Sequence, residues 1–244
     1  YDAYSNAMSL DPSNMEALQA VSQLGLQTGH LRESLEATET ILSLSPDDAS
    51  ALLTRGLHAI IRSRFDEANG YAERILALDA SNEGGAILKA RAMFRKGDHA
   101  AALAALDRYS AARPDTVGVA MTRLEIYRAL GDASGMRAQF AKLRNLAPDN
   151  RGLRIDEANF AYKEGRAADG TALVLALLAD PALSRSDLAA VLALWREYLA
   201  EAPADAELLP ALEKASVGTK TRVAFHLLDT GRLASAETLA PELS

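Results

Sequence analysis

Residues 44–49 read LSPDDA, and taken alone they form a turn. Proline fixes its own φ and disfavours helix in the residue before it, while acidic residues after it often start the next helix. Related stretches stand at 10–14 (LDPSN), 78–82 (LDASN), 113–116 (RPDT) and 147–150 (APDN). Pro12, Pro46, Ala80, Pro114 and Pro148 are spaced 34 residues apart, with alanine in the place of proline once. A second series keeps step: Gly29, Gly97, Gly131 and Gly165, with Ser63 in the missing place; positions 29, 63, 97 and 131 stand 17 residues before 46, 80, 114 and 148, and Gly165 continues the period. Two independent series at one period mark a repeat architecture.

Between the marks lie two segments per period whose apolar residues recur at three and four, such as MEALQAVSQLGLQT at 15–28 and RESLEATETILSL at 32–44, the spacing of an amphipathic helix. Glycine supplies a left-handed cap after the first helix, and proline a stop after the second. Helices this short are marginal alone in water, so each hairpin must bury a face against its neighbours. The expected fold is an all-α solenoid of antiparallel helical hairpins.

Composition agrees with a folded chain. Of the 244 residues 49% are apolar and 24% charged, ordinary for a globular protein. A net charge of −7 and an aromatic content of 5% argue against nucleic acid as partner, which would want a basic or base-stacking face. Cysteine is absent, which removes disulfides and thiolate chemistry and leaves cytoplasm and periplasm equally open. The longest apolar runs, ALVLALLA at 172–179 and LAAVLALW at 188–195, fall short of the ~20 residues of a membrane span, so no membrane insertion is expected. Arginine outnumbers lysine 20 to 6 and alanine is abundant, a composition associated with GC-rich bacterial coding.

A 34-residue helical hairpin with glycine at its inner turn and a Pro-Asp or Pro-Ser step at its end resembles the tetratricopeptide repeat (TPR) family. The family's first small position is filled here by Ser22, Gly56, Ala90, Leu124 and Ala158 in successive repeats, and its second by Ser34, Ala68, Ala102, Met136 and Gly170. The resemblance implies right-handed superhelical stacking. It divides the chain into the second helix of a preceding repeat (1–14), five regular repeats (15–182), an irregular repeat carrying Trp195, Pro203 and Pro210 (183–216) and a truncated last repeat (217–244), all one continuous solenoid. Neither end shows the polar capping helix usual in solenoids, and a segment of a longer protein is expected.

Two departures from the pattern carry physical consequences. In the fourth repeat both small positions are large, Leu124 and Met136, and a splayed hairpin is expected because the added volume does not fit at ordinary separation. A usually apolar position is instead Arg55, Lys89, Arg123 and Glu157; sixteen residues before the three bases stand Glu39, Glu73 and Asp107, and before Glu157 stands Ala141. Acid disappears where base disappears. A ladder of ion pairs between repeats is expected, in preference to a cationic ligand stripe.

Chemistry is sparse. His30, His58, His99 and His226 fall at unrelated repeat positions without metal-ligand spacing, so neither a metal nor a cofactor is expected. VGTKT at 217–221 lacks the order of a phosphate loop and reads as a helix start. Trp195 is expected in the core. No catalytic motif appears, and the chain is expected not to be an enzyme.

The family resemblance places a peptide-binding groove along the first helices. Carried over by position, it comprises Leu53, Leu57, Ile60 and Ile61 in the second repeat, and Ile87, Arg91, Phe94 and Arg95 in the third. Met121, Glu125 and Arg128 follow in the fourth, then Ile155, Asn159, Tyr162 and Lys163 in the fifth. Apolar at one end and basic toward the middle, this surface suits a protein or peptide segment with apolar anchors and some acidic groups. The alternative is that its apolar members merely pack against adjacent helices. The residues with which family members clamp a terminal carboxylate are not matched: Gln19, Gln23, Thr54, Gly84 and Leu88 stand in their places. The expected function is a non-catalytic protein–protein interaction scaffold or adaptor. The alternatives are a regulatory or substrate-presenting arm of a larger enzyme, or a periplasmic scaffold of an envelope polysaccharide export system.

Overall fold

The 34-residue step becomes visible first as helix caps. The structure, a computed structural model, describes residues 1–198 and 203–239. Among the described residues all regular structure is helical. The side chains of Asn14, Asp48, Asn82, Thr116 and Asn150, again one period apart, accept from the backbone N–H of Ala17, Ala51, Gly85, Val119 and Leu153. Each cap satisfies an amide that has no intrahelical partner and contributes about 1 kcal/mol.

These caps open the first helix of five consecutive hairpins: α2 (Met15–Thr28) with α3 (Leu31–Leu44), α4 (Ala49–Ile61) with α5 (Phe65–Leu78), α6 (Glu83–Arg95) with α7 (His99–Ala112), α8 (Val117–Leu130) with α9 (Ala133–Leu146), and α10 (Arg151–Lys163) with α11 (Ala167–Leu178). Before them runs α1 (Asp2–Leu10). After them come α12 (Arg185–Glu197), α13 (Asp205–Leu212), α14 (Val217–Asp229) and α15 (Leu233–Leu239). The inner turns need a left-handed residue: Gly29 has φ +83° and Ser63, standing in for glycine, φ +57°. VGTKT does begin a helix, α14, whose cap Ser216 accepts from Thr219 N–H. The expected last repeat extends over 240–244, which lie outside the described residues.

The chain divides into two compact units, Tyr1–Gln139 and Phe140–Ser244. In the first, the first helices α2, α4, α6 and α8 pack side by side, and α3, α5 and α7 fold back upon them. Small residues set the spacing: Ala68, Ala90 and Ala102 are fully buried, and Leu88 of α6 lies directly over Gly56 of α4. Leu124 and Met136 are both buried. The close approach in their hairpin falls one residue before Met136: the Tyr127 ring stands 2.5 Å from where a Cβ on Gly135 would be.

In the second unit α10, α12 and α14 are neighbours, and Val174, Leu177, Val191, Trp195, Leu208, Val223 and Leu227 form the core. Trp195 is 3% exposed, with the Arg232 guanidinium 5.8 Å over its ring and His226 at 5.1 Å. The irregular repeat keeps two helices despite Pro210 inside α13. Asp205, at the start of α13, accepts from Ser235 Oγ at 2.5 Å and from Arg232.

Candidate functional site

All four charged positions form ion pairs with neighbouring helices. Arg55 Nη2 lies 3.7 Å from Glu39 and 3.4 Å from Glu67, Lys89 Nζ donates to Glu73 at 3.0 Å, and Arg123 Nη1 donates to Asp107 at 2.6 Å. The Lys89 hydrogen bond, with help from Asn69, holds the Glu73 carboxyl below the usual glutamate range. These bases join each first helix to the second helix before it, so they are rungs rather than a ligand stripe. In the second unit Glu157 takes Arg144 at 2.6 Å, a rung of inverted sign. Burial pushes the Glu157 carboxyl above its ordinary range, and Arg144 opposes that rise.

A polar chain crosses the core of the first unit. Thr38 Oγ1 donates to the Ser34 carbonyl at 2.6 Å, and so accepts from Ser22 Oγ at 2.8 Å. Ser34 Oγ donates to the Ser22 carbonyl at 2.5 Å, and therefore accepts from His58 Nε2 at 2.9 Å. His58 is 1% exposed, and burial lowers its imidazole below the ordinary range, with Arg62 and Arg55 adding to the effect. The only hint of His58's role along the chain is the pair of serines at both small positions of the first repeat, which leave polar groups in need of a partner.

The predicted groove residues divide by exposure. Ile61 and Met121 are exposed, as are Arg91, Arg95, Glu125, Arg128 and Lys163. Leu53, Leu57, Ile60, Ile87, Phe94, Ile155 and Asn159 are half-buried. The packing alternative accounts for part of this set: Leu53 lies against Gly84, Ile87 against Gly118, and Leu57 and Ile60 against the core that α4, α5 and α6 share. Tyr162 differs from the rest of the set: it is buried, stacked on Tyr198 at 4.8 Å, and its ring lies over Gly170, where a Cβ would meet it. Its neighbour Asn159 accepts from the Tyr198 hydroxyl at 3.3 Å.

In the first unit α4, α6 and α8 pack side by side; of the groove residues they carry, Ile61, Met121, Arg91 and Arg95 are exposed and Phe94 is half-buried. Arg95 lies 5.6 Å over the Phe65 ring, which fixes its guanidinium without neutralising it. Among the described residues no group of three or more His, Asp and Glu is placed to hold a metal ion. No helix there is long and apolar enough to cross a membrane.

Paired antiparallel helices stacked at a fixed period define a helical-hairpin repeat protein, whose chemistry lies in the walls that stacking creates. Residues 59–123 match the family model described as tetratricopeptide repeat. No curated protein sequence matches the chain. Among solved structures, the type IV pilus biogenesis factor PilW is similar at a TM-score of 0.64 and 20% identity, over 78% of this chain and 88% of that one. A tetratricopeptide repeat protein of Thermus thermophilus is similar at 0.60 and 19%, over 65% and 87%. One from Parabacteroides merdae is similar at 0.54 and 13%, over 87% and 90%. At these identities the likeness is one of fold. The chain has the fold of tetratricopeptide repeat proteins, and residues 59–123 carry that family's signature; such folds act in general as protein–protein interaction scaffolds.

Proposed function

We propose that the wall formed by α4, α6 and α8 binds a segment of another protein that carries apolar anchors and acidic groups, and that the chain acts as a non-catalytic adaptor through it. The observation that supports this is the exposure of Ile61 and Met121 on first helices flanking α6, where Arg91 makes no ion pair among the described residues. Exposed apolar side chains beside an unneutralised cation supply both anchoring and charge selection. In the second unit Ile155, Asn159 and Lys163 on α10 are proposed as a contact surface of that unit alone.

An array of short peptides in which apolar and acidic residues are permuted tests the reading. Peptides combining both should bind best, and binding should be lost in the Arg91→Glu plus Arg95→Glu variant. Unaltered binding by that variant overturns the proposed wall.

A further inference from the structure

A second opening in the first unit lies on the other side of the hairpins, between the C-terminal halves of α5 and α7 and against α6, with a volume of about 580 Å³. Its cause is visible in the period. Ala112 stands where neighbouring repeats have Leu44, Leu78 and Leu146; Ala80 replaces the turn proline; Ala105 stands where the preceding repeat has Tyr71. Three losses of side-chain volume at one inter-repeat seam leave a cleft walled by Leu76, Ala86 and Tyr109. That volume is within the usual range of ligand pockets.

The charges at the rim are satisfied internally, with one exception. Glu73 is paired with Lys89, and Asp79 accepts from both the backbone N–H and the hydroxyl of Ser81. Arg108 is exposed and has neither an ion pair nor a hydrogen bond among the described residues. One period earlier, Arg74 donates to the Pro46 carbonyl at 2.7 Å and pairs with Asp47 at 3.3 Å. For Arg108 the corresponding acid is missing, because Ser81 occupies the place of Asp47 and accepts from Arg113 instead. An open apolar cleft and an unclaimed guanidinium thus share one edge.

We infer that this cleft docks a partner segment in which a large apolar side chain stands next to a carboxylate. The apolar group fills the volume that the alanines leave, and the carboxylate takes the place at Arg108 that Asp47 takes at Arg74. The site lies chiefly on the second helices α5 and α7, is closed by Ala86 and Lys89 of α6, and does not use the residues of the wall proposed for the first helices.

The test is a titration of the chain, labelled at its alanine methyls, with a short acetylated peptide carrying a Phe-Asp pair, followed by magnetic resonance. Two control peptides carry Phe-Lys and Ala-Asp. The Ala105 and Ala112 methyl signals should shift with the Phe-Asp peptide, and each control should bind about tenfold more weakly or less. Ala112→Leu introduces the residue that neighbouring repeats carry, so it should fold, fill the cleft and abolish the shifts. Arg108→Glu should reverse the preference between Phe-Asp and Phe-Lys. Arg91→Glu plus Arg95→Glu should leave the titration unchanged. Equal affinity for all three peptides, unmoved methyl signals, or binding that survives Ala112→Leu overturns the proposal, as does loss of binding in the Arg91/Arg95 variant.

Discussion

Arg144 Nη1 donates to Glu157 Oε1 at 2.6 Å with the acid buried and the base half exposed, whereas in the Arg123–Asp107 pair the base is buried and the acid exposed. Both rungs tie a first helix to the second helix before it, but a different charge is left inside when each is broken.

That asymmetry orders the stability effects. Arg123 is 7% exposed and also donates to Ser110 Oγ, so Asp107→Ala leaves a buried cation short of its counter-charge and should cost about 1–3 kcal/mol. Glu73→Ala, whose lost acid is more than half exposed, should cost roughly 0–1 kcal/mol. Urea denaturation of the two variants measures the difference, and equal losses would contradict it.

For Glu157 the prediction concerns pH. A carboxyl raised by burial in the folded state binds a proton there that the unfolded chain has already released, so stability falls as pH rises through the folded value. Arg144→Ala removes the group that opposes the rise. Its destabilisation should be larger at about pH 8 than at about pH 5, and chemical denaturation at both values decides.

His58 works in the other direction. Its imidazole is lowered by burial, so the unfolded chain takes up the proton first, and stability is lost as pH falls below about 6.5 toward the folded value. His58→Gln keeps a donor for Ser34 and removes the titration. The variant should show a flatter loss of stability between about pH 7.5 and pH 5.5. The remaining slope belongs to other groups, His226 among them, which burial lowers in the same sense. An unchanged slope would remove His58 from the account.

Gly56 is a site where a methyl group is harmful. A Cβ there would lie 2.2 Å from Leu88 Cδ2, so the Leu88 side chain, itself fully buried, must shift within the core. Gly56→Ala gains about 1 kcal/mol in helix propensity and loses about 1–3 kcal/mol to overpacking, so a net destabilisation of about 1 kcal/mol is expected. Combining it with Leu88→Ala should be less costly than the sum of the single variants, because the cavity and the methyl group compensate. Strict additivity would show that the contact does not set the spacing.

The period, the paired helices and their turns are legible in the order of residues alone. Each depends on a backbone requirement that one residue meets locally: a side-chain oxygen three residues before an amide at Asn14 or Asp48, a left-handed φ at Gly29. The rungs from Glu39, Glu73 and Asp107 were legible too, since a constant offset of sixteen residues survives wherever the stacking is regular. Which side chains reach one another across helices emerges only from packing in three dimensions. Glu157 finds Arg144 thirteen residues back instead of sixteen, Tyr162 turns inward over Gly170, and the alanines at 80, 105 and 112 open one cleft. Those outcomes depend on side-chain length and the distance between helix axes, and spacing along the chain encodes neither.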